Sequence, residues 1–203
     1  MLQSVLRLPA SAPLTPDQFY DLCCANPDWN LEQTAAGDLV LMAPTGGNTG
    51  RQNADLVTDL TLWNRQTKLG YVFDSSTGFT LANGATRAPD LAWVRRDRWE
   101  TLSMSQQEKF PPLAPDFLVE LMSPTDRLTD LQPKMVEYQD NGVQLGWLIN
   151  PKAGQVEIYR IGQEKEVLQV PPTLSGETVL PGFILQIDSL WQRSPWEAAE
   201  VGE

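Results

Sequence analysis

Two acidic residues interrupt apolar runs that otherwise read as β-strands. Asp90 sits in Ala88-Pro89-Asp90-Leu91-Ala92-Trp93-Val94, and Glu120 sits in Asp116-Phe117-Leu118-Val119-Glu120-Leu121-Met122. A carboxylate in such a run is costly to bury unless it is paired, protonated or bound to a metal. Two of them, at the edges of neighbouring strands, have the sequence form of a divalent-cation site. A fold that uses them must bring those strands together.

The rest of the composition narrows the chemistry. The chain has no histidine, which excludes Ser-His-Asp and Cys-His nucleophilic sites, His-ligated zinc hydrolases and His-dependent nucleases. Catalysis must then use carboxylates, lysine, hydroxyls or a metal held by oxygen ligands, and oxygen-only ligation points to magnesium or manganese. The cysteines, Cys23 and Cys24, are adjacent in an expected helix and have no second ligand pair, so a zinc knuckle is excluded. One buried and one half-buried thiol are expected. A net charge of -11 argues against nonspecific nucleic-acid binding by the whole surface. Arg51, Arg65, Lys68, Arg87, Arg95, Arg96 and Arg98 do fall in the half that holds Asp90, where they read as scattered, solvated charge.

At 203 residues, 41% hydrophobic and 20% charged, the chain reads as a soluble single domain over residues 1–203. Its core is expected over about 15–190, with a flexible acidic tail over 194–203. The sequence shows no secretory signal and no run apolar enough to cross a membrane, so a cytoplasmic setting is expected.

Thr15-Pro16-Asp17 predicts a helix start, with Thr15 as N-cap, and the helix should run to about Ala25. Short strands follow at Asn30–Gln33 and Asp38–Met42. Leu56, Leu60 and Trp63 recur at helical spacing between Thr49 and about Lys68, with Gly70 as the stop. Strands are predicted at Tyr71–Asp74, Phe79–Leu81, Asp90–Val94 and Phe117–Met122, with a short helix near Trp99–Leu102 or just beyond. A helix then ends near Asn141-Gly142. Pro133 inside it implies either a kink or a restart. Strands at Leu145–Ile149, Val156–Arg160, Val167–Val170, Glu177–Val179 and Phe183–Gln186 complete the chain, the last ones extending one sheet edge, and Ser189–Trp191 caps it. This order is α/β with a mixed sheet flanked by helices.

Alternation along a strand turns Glu120 and Met122 one way, and Val119 and Leu121 the other. A metal-dependent phosphodiesterase also needs a cationic side chain beside its acids, to orient water and offset charge. In the commonest strand-based form that cation is a lysine two residues after the glutamate, where this chain has Met122. Lys134 is a substitute from the next helix. Glu120 lies roughly 10 Å of strand before the turn at Ser123. Lys134 lies about 12 Å along a helix that folds back from near Asp126. The two Cα atoms come out nearly level.

These segments also carry a family likeness. Met42-Ala43-Pro44-Thr45-Gly46-Gly47, Phe73-Asp74-Ser75-Ser76-Thr77-Gly78-Phe79, Arg87-Ala88-Pro89-Asp90, Pro115 to Glu120, Ser123-Pro124-Thr125-Asp126 and Lys134-Met135-Val136-Glu137-Tyr138 together resemble the Uma family of restriction-endonuclease-like proteins, in the PD-(D/E)XK nuclease superfamily. The resemblance implies a restriction-endonuclease-like core of helix, three strands, helix and strand, to which the C-terminal strands read above are antiparallel additions. It implies that Asp90 and Glu120 hold a metal ion and that the lysine has moved to the helix, as Lys134. It implies DNA as substrate and Mg²⁺ or Mn²⁺ as cofactor.

The expected site is therefore Asp90, Glu120 and the backbone carbonyl of Leu121 around the metal, with Lys134 acting on water or phosphate. Blander alternatives stand beside it. Asp90 can cap a turn or pair with Arg87, and Lys134 can pair with Glu137 or Asp130. Tyr138 packs with its hydroxyl near the site, the Gly46–Gly50 segment is a turn and helix cap, and the tryptophans fill the core. A catalytically silent nuclease fold, used for binding or assembly, is the alternative function. A homodimer is compatible with either.

Overall fold

The computed structural model describes residues 3–9 and 14–191. Strand β1 (Gln3–Leu6) precedes helix α1 (Pro16–Ala25), which starts where Thr15 and Gln18 cap each other reciprocally and Pro16 occupies the first turn. Strands β2 (Asn30–Gln33) and β3 (Leu39–Met42) lead into the long helix α2 (Gly47–Thr67). Then come β4 (Gly70–Asp74), β5 (Phe79–Thr80), β6 (Thr86–Arg87) and β7 (Leu91–Arg95), followed by the short helices α3 (Arg96–Trp99) and α4 (Met104–Glu108). Strand β8 (Phe117–Leu121) continues through helix α5 (Leu128–Asp140) to β9 (Leu145–Asn150). Strands β10 (Gln155–Arg160), β11 (Glu166–Gln169), β12 (Thr173–Ser175) and β13 (Ile184–Gln186) and helix α6 (Asp188–Trp191) follow.

The strands build a mixed six-stranded sheet in the order β11-β10-β9-β8-β7-β4, an antiparallel five-stranded sheet in the order β1-β3-β2-β6-β5, and the pair β12-β13. Within the large sheet β8 and β9 run parallel, so α5 is their crossover, while the other neighbours are antiparallel. One face of this sheet packs Trp93, Val119, Leu121, Trp147 and Ile149 against Leu56 and Leu60 of α2 and against the C-terminal pair of strands. The opposite face packs Leu118, Met122 and Leu148 against Leu131, Met135 and Tyr138, which share the inward stripe of α5. A sheet covered on both faces needs apolar residues at successive positions, and all five residues of β8 are buried. Glu120 is carried into that interior by its neighbours.

The α/β class with a mixed sheet is as the sequence predicts, and several local expectations need correction. Asn30–Gln33 and residues 39–42 form a second sheet with β1, a strand the sequence did not announce. The expected strand at Glu177–Val179 is a turn: Glu177 has a left-handed φ of 53°, and the Leu180 amide bonds back to the Gly176 carbonyl. The pairing strand is β12 instead, and with β13 it forms a separate sheet rather than an extension of the large one. Helix α2 stops at Lys68, whose φ is 55°. Gly70 serves another purpose, since a Cβ there would lie 2.2 Å from the Val94 carbonyl oxygen. Pro133 neither breaks nor restarts α5, which runs through it. Trp93 and Trp147 fill the core as expected, but Trp29 is 55% exposed. Cys23 is half-buried and Cys24 exposed, one step further out than expected. The acidic tail at 194–203 lies outside the described residues. Among the described residues, no helix is long and apolar enough to cross a membrane.

Candidate active site

The antiparallel register of β7 and β8 pairs Leu91 with Val119. Extended by one residue, back from Leu91 and forward from Val119, the register sets Asp90 across from Glu120. Asp90 is fixed there by two donors: the Leu121 amide to Oδ2 at 2.7 Å and the Asn53 Nδ2 of α2 to Oδ1 at 3.1 Å. Glu120 faces α5, on the same side as Leu118 and Met122. The Lys134 Nζ lies 2.8 Å from Glu120 Oε1, and the Tyr138 hydroxyl donates to the same oxygen at 3.0 Å. Lysine and tyrosine are four residues apart on one helix, so both reach the same strand position. Met122 packs among Leu118, Leu131 and Met135.

A second carboxylate, Glu32 of β2, holds Lys134 from the other side, with Oε1 2.9 Å from Nζ. Glu32 Oε1 also accepts from the Ala88 amide at 2.9 Å, and Oε2 takes the Arg87 Nη1 at 3.1 Å. Arg87 turns its Nε to Glu137 Oε2 at 2.6 Å, and Glu137 Oε1 accepts from Asn83 at 3.0 Å. Through these bonds Glu32 pins the segment 87–90 that carries Asp90. Neither bland pairing occurs: Arg87 bonds Glu32 and Glu137 rather than Asp90, and Lys134 bonds Glu120 and Glu32 rather than Glu137 or Asp130.

The cluster holds more acid than base, since Asp90, Glu120, Glu32 and Glu137 face only Lys134 and Arg87. Burial pushes the Glu120 carboxyl up to about 7; the attraction of Lys134 opposes this, and the nearby charges of Asp90 and Glu32 reinforce it. Asp90 is also raised, because burial outweighs its bonds from Leu121 and Asn53. Glu32 goes the other way: burial alone would raise it, but Lys134 and Arg87 prevail and keep it ionised. Burial would likewise discharge Lys134, yet Glu120 and Glu32 hold its ammonium above the ordinary lysine range. Tyr138 stays protonated, raised well above the usual phenol value by burial and the adjacent acids.

Asp90, Glu120, Leu121, Lys134 and Asn53 line a cavity of about 100 Å³, space for several waters. Among the described residues no three His, Cys, Asp or Glu side chains gather to hold a metal. A cation here must use the two carboxylates together with neutral oxygens, which is a hard-cation donor set. The donors fit such an ion: burial lifts Glu120, the charges of Asp90 and Glu32 add to it, and a dication would offset that cost as a proton does.

Glu32 and Asn53 were not foreseen. Glu32 lies in Leu31-Glu32-Gln33, a short strand whose acid meets Arg87 of the neighbouring β6 and Lys134 of α5 only in the folded chain, and Asn53 reads as part of a polar helix face. Of the seven basic residues in the half of the sequence that holds Asp90, Arg51, Arg95, Arg96 and Arg98 make ion pairs with neighbouring acids. Gly46 caps α2 without a side-chain bond, as a turn and cap.

The mixed, helix-flanked sheet thus carries two acids at the adjoining ends of β7 and β8, with a lysine reaching them from α5, and its fold is nuclease-like. The chain superimposes on a solved structure described as a "putative nuclease belonging to DUF820 from Anabaena variabilis ATCC 29413", with a TM-score of 0.72 and 22% identity, over 88% of this chain and 98% of that one. At that identity the likeness is one of fold. The family model Uma2, "Putative restriction endonuclease", matches residues 16–188, and the chain belongs to that family. No protein with a curated description matches it.

Proposed function

We propose that this protein is a Mg²⁺- or Mn²⁺-dependent endonuclease that hydrolyses DNA phosphodiester bonds. The observation that carries the reading is the convergence of Asp90, Glu120 and the Lys134 ammonium on one small cavity of about 100 Å³. Asp90, Glu120 and the backbone carbonyl of Leu121 would hold the ion. When bound, such an ion activates water and offsets charge on the phosphate. Lys134 supplies the positive group that the strand lacks at Met122: its ammonium, kept charged by Glu120 and Glu32, orients water and stabilises the phosphorane-like charge. Glu32 keeps that ammonium aimed at the cavity by a bond independent of Glu120. Tyr138, neutral and bonded to Glu120 Oε1, fixes the rotamer of the acid.

A single catalytic domain over residues 1–203, a cytoplasmic setting and a homodimer that places two such sites on a duplex belong with this reading. Incubation of the protein with supercoiled, linear and single-stranded DNA, with Mg²⁺ or Mn²⁺ and with chelator, tests it. Cation-dependent cleavage is expected, and Glu120→Ala should abolish both cleavage and cation binding. Absence of cation-dependent cutting on every DNA form would overturn the enzyme reading and leave the silent fold.

A further inference from the structure

The Asn53 carboxamide is held with its nitrogen toward Asp90. An ionised carboxylate only accepts, so Nδ2 must be the atom that faces Oδ1 of Asp90, at 3.1 Å. The amide oxygen therefore points away from that bond. It is buried and has no hydrogen-bond partner, although Asn53 lines the cavity that Asp90 and Glu120 share. Among the described residues the other such atom is the Trp147 indole nitrogen, a donor inside the apolar core. Buried polar atoms are rarely left unpaired, because the desolvation cost of about 1–3 kcal/mol goes uncompensated.

We infer that Asn53 Oδ1 is a third side-chain oxygen for the divalent cation of this site. The inference rests on the metal-site reading above and adds a ligand to it. A prop for Asp90 needs a donor only; the orphan acceptor is the part that a prop leaves unexplained. A cation is what a lone-pair oxygen beside two acids can satisfy, and the donors bonded to those acids are already engaged: the Leu121 amide with Asp90, and the Lys134 ammonium and the Tyr138 hydroxyl with carboxylates. Two carboxylates alone leave a hard cation short of protein oxygens, and a neutral amide oxygen adds one without further charge repulsion.

The test is Mn²⁺ binding to the full chain without DNA, read by electron paramagnetic resonance and calorimetry. Asn53→Ala, with an unchanged circular dichroism spectrum, should weaken Mn²⁺ by about tenfold or more. Asn53→Asp should bind Mn²⁺ more tightly than wild type at pH 8, because a charged oxygen replaces a neutral one at the same place. Wild-type affinity in Asn53→Ala, or binding by Asn53→Asp weaker than by Asn53→Ala, overturns the inference and leaves Asn53 as a prop while the metal site stands. A wild-type protein that binds no Mn²⁺ removes the metal site itself, and the inference with it.

Discussion

Two glutamates lie buried in the middle of strands of the same sheet, and they do opposite things. Glu120 of β8 is 5% exposed and Glu157 of β10 is 2% exposed. Each accepts from a tyrosine, Tyr138 at 3.0 Å and Tyr159 at 2.7 Å, and each faces a lysine, Lys134 at 2.8 Å and Lys165 at 2.9 Å. Yet burial lifts Glu120 to about 7, whereas Glu157 is lowered: burial would raise it, but Tyr159, Lys165 and Gln132 outweigh that. Among the described residues no second carboxylate is bonded into the group around Glu157, and Gln132 donates to its other oxygen at 2.7 Å. Glu120 shares its lysine with Glu32 and stands opposite Asp90. A buried strand acid is thus a satisfied structural residue when its donors match its charge. It becomes a candidate cation ligand when carboxylates outnumber donors around a cavity.

The sharpest way to break this contrast is activity. Glu120→Gln and Lys134→Ala should each lower cation-dependent DNA cleavage by about 10²–10³-fold or more, and Glu157→Gln should leave the cleavage rate unchanged. Stability in urea, without divalent cation, comes next. Lys134→Ala leaves Glu120 and Glu32 buried without their shared cation and should cost about 3–5 kcal/mol. Lys165→Ala removes a partly exposed partner, an effect of about 1 kcal/mol or less.

The pH dependence separates the two acids by sign. Because Glu120 is raised in the folded state, its neutral form favours folding. Its contribution is fully present below its unfolded value near 4.5 and is lost as the pH rises through about 7. In chelator, Glu120→Gln should therefore gain on wild type between pH 5 and 8 by about 2 kcal/mol. Glu157, lowered, contributes stability that is present above its unfolded value and lost as the pH falls through its folded one. Glu157→Gln should accordingly cost most at neutral pH and least in acid. A melting series across pH for the two variants checks both slopes. The smallest effect belongs to the tyrosines: Tyr138→Phe and Tyr159→Phe should each cost about 1 kcal/mol, and only the former should change Mn²⁺ affinity.

Much of this site is legible in the chain because it follows from periodicity. Asp90 and Glu120 stand out against apolar neighbours, and the lengths of strand and helix bring Lys134 level with Glu120, where its Nζ is found 2.8 Å away. The same criterion overlooks Glu157, whose run Val156-Glu157-Ile158-Tyr159 looks much like that around Glu120. What distinguishes the two is how many acids surround each one, a property of tertiary packing. Glu32 is hidden for the same reason, since it comes from a different sheet and meets Lys134 only when that sheet docks. Among the outer strands, the reading failed where backbone geometry decides: Glu177 in a left-handed turn ends pairing that its flanking apolar residues suggest.

Glu32 has a consequence for motion as well as for chemistry. It belongs to the five-stranded sheet, while Lys134 and Glu120 belong to the layers around the larger one. These charges therefore also fasten one sheet to the other, and the amides of β2 and β3 should open to hydrogen exchange as a unit whose protection follows the state of the cluster. Filling the cavity with a cation should slow that opening. Removing Lys134 should hasten it, so that the rim of the site and the N-terminal sheet loosen together.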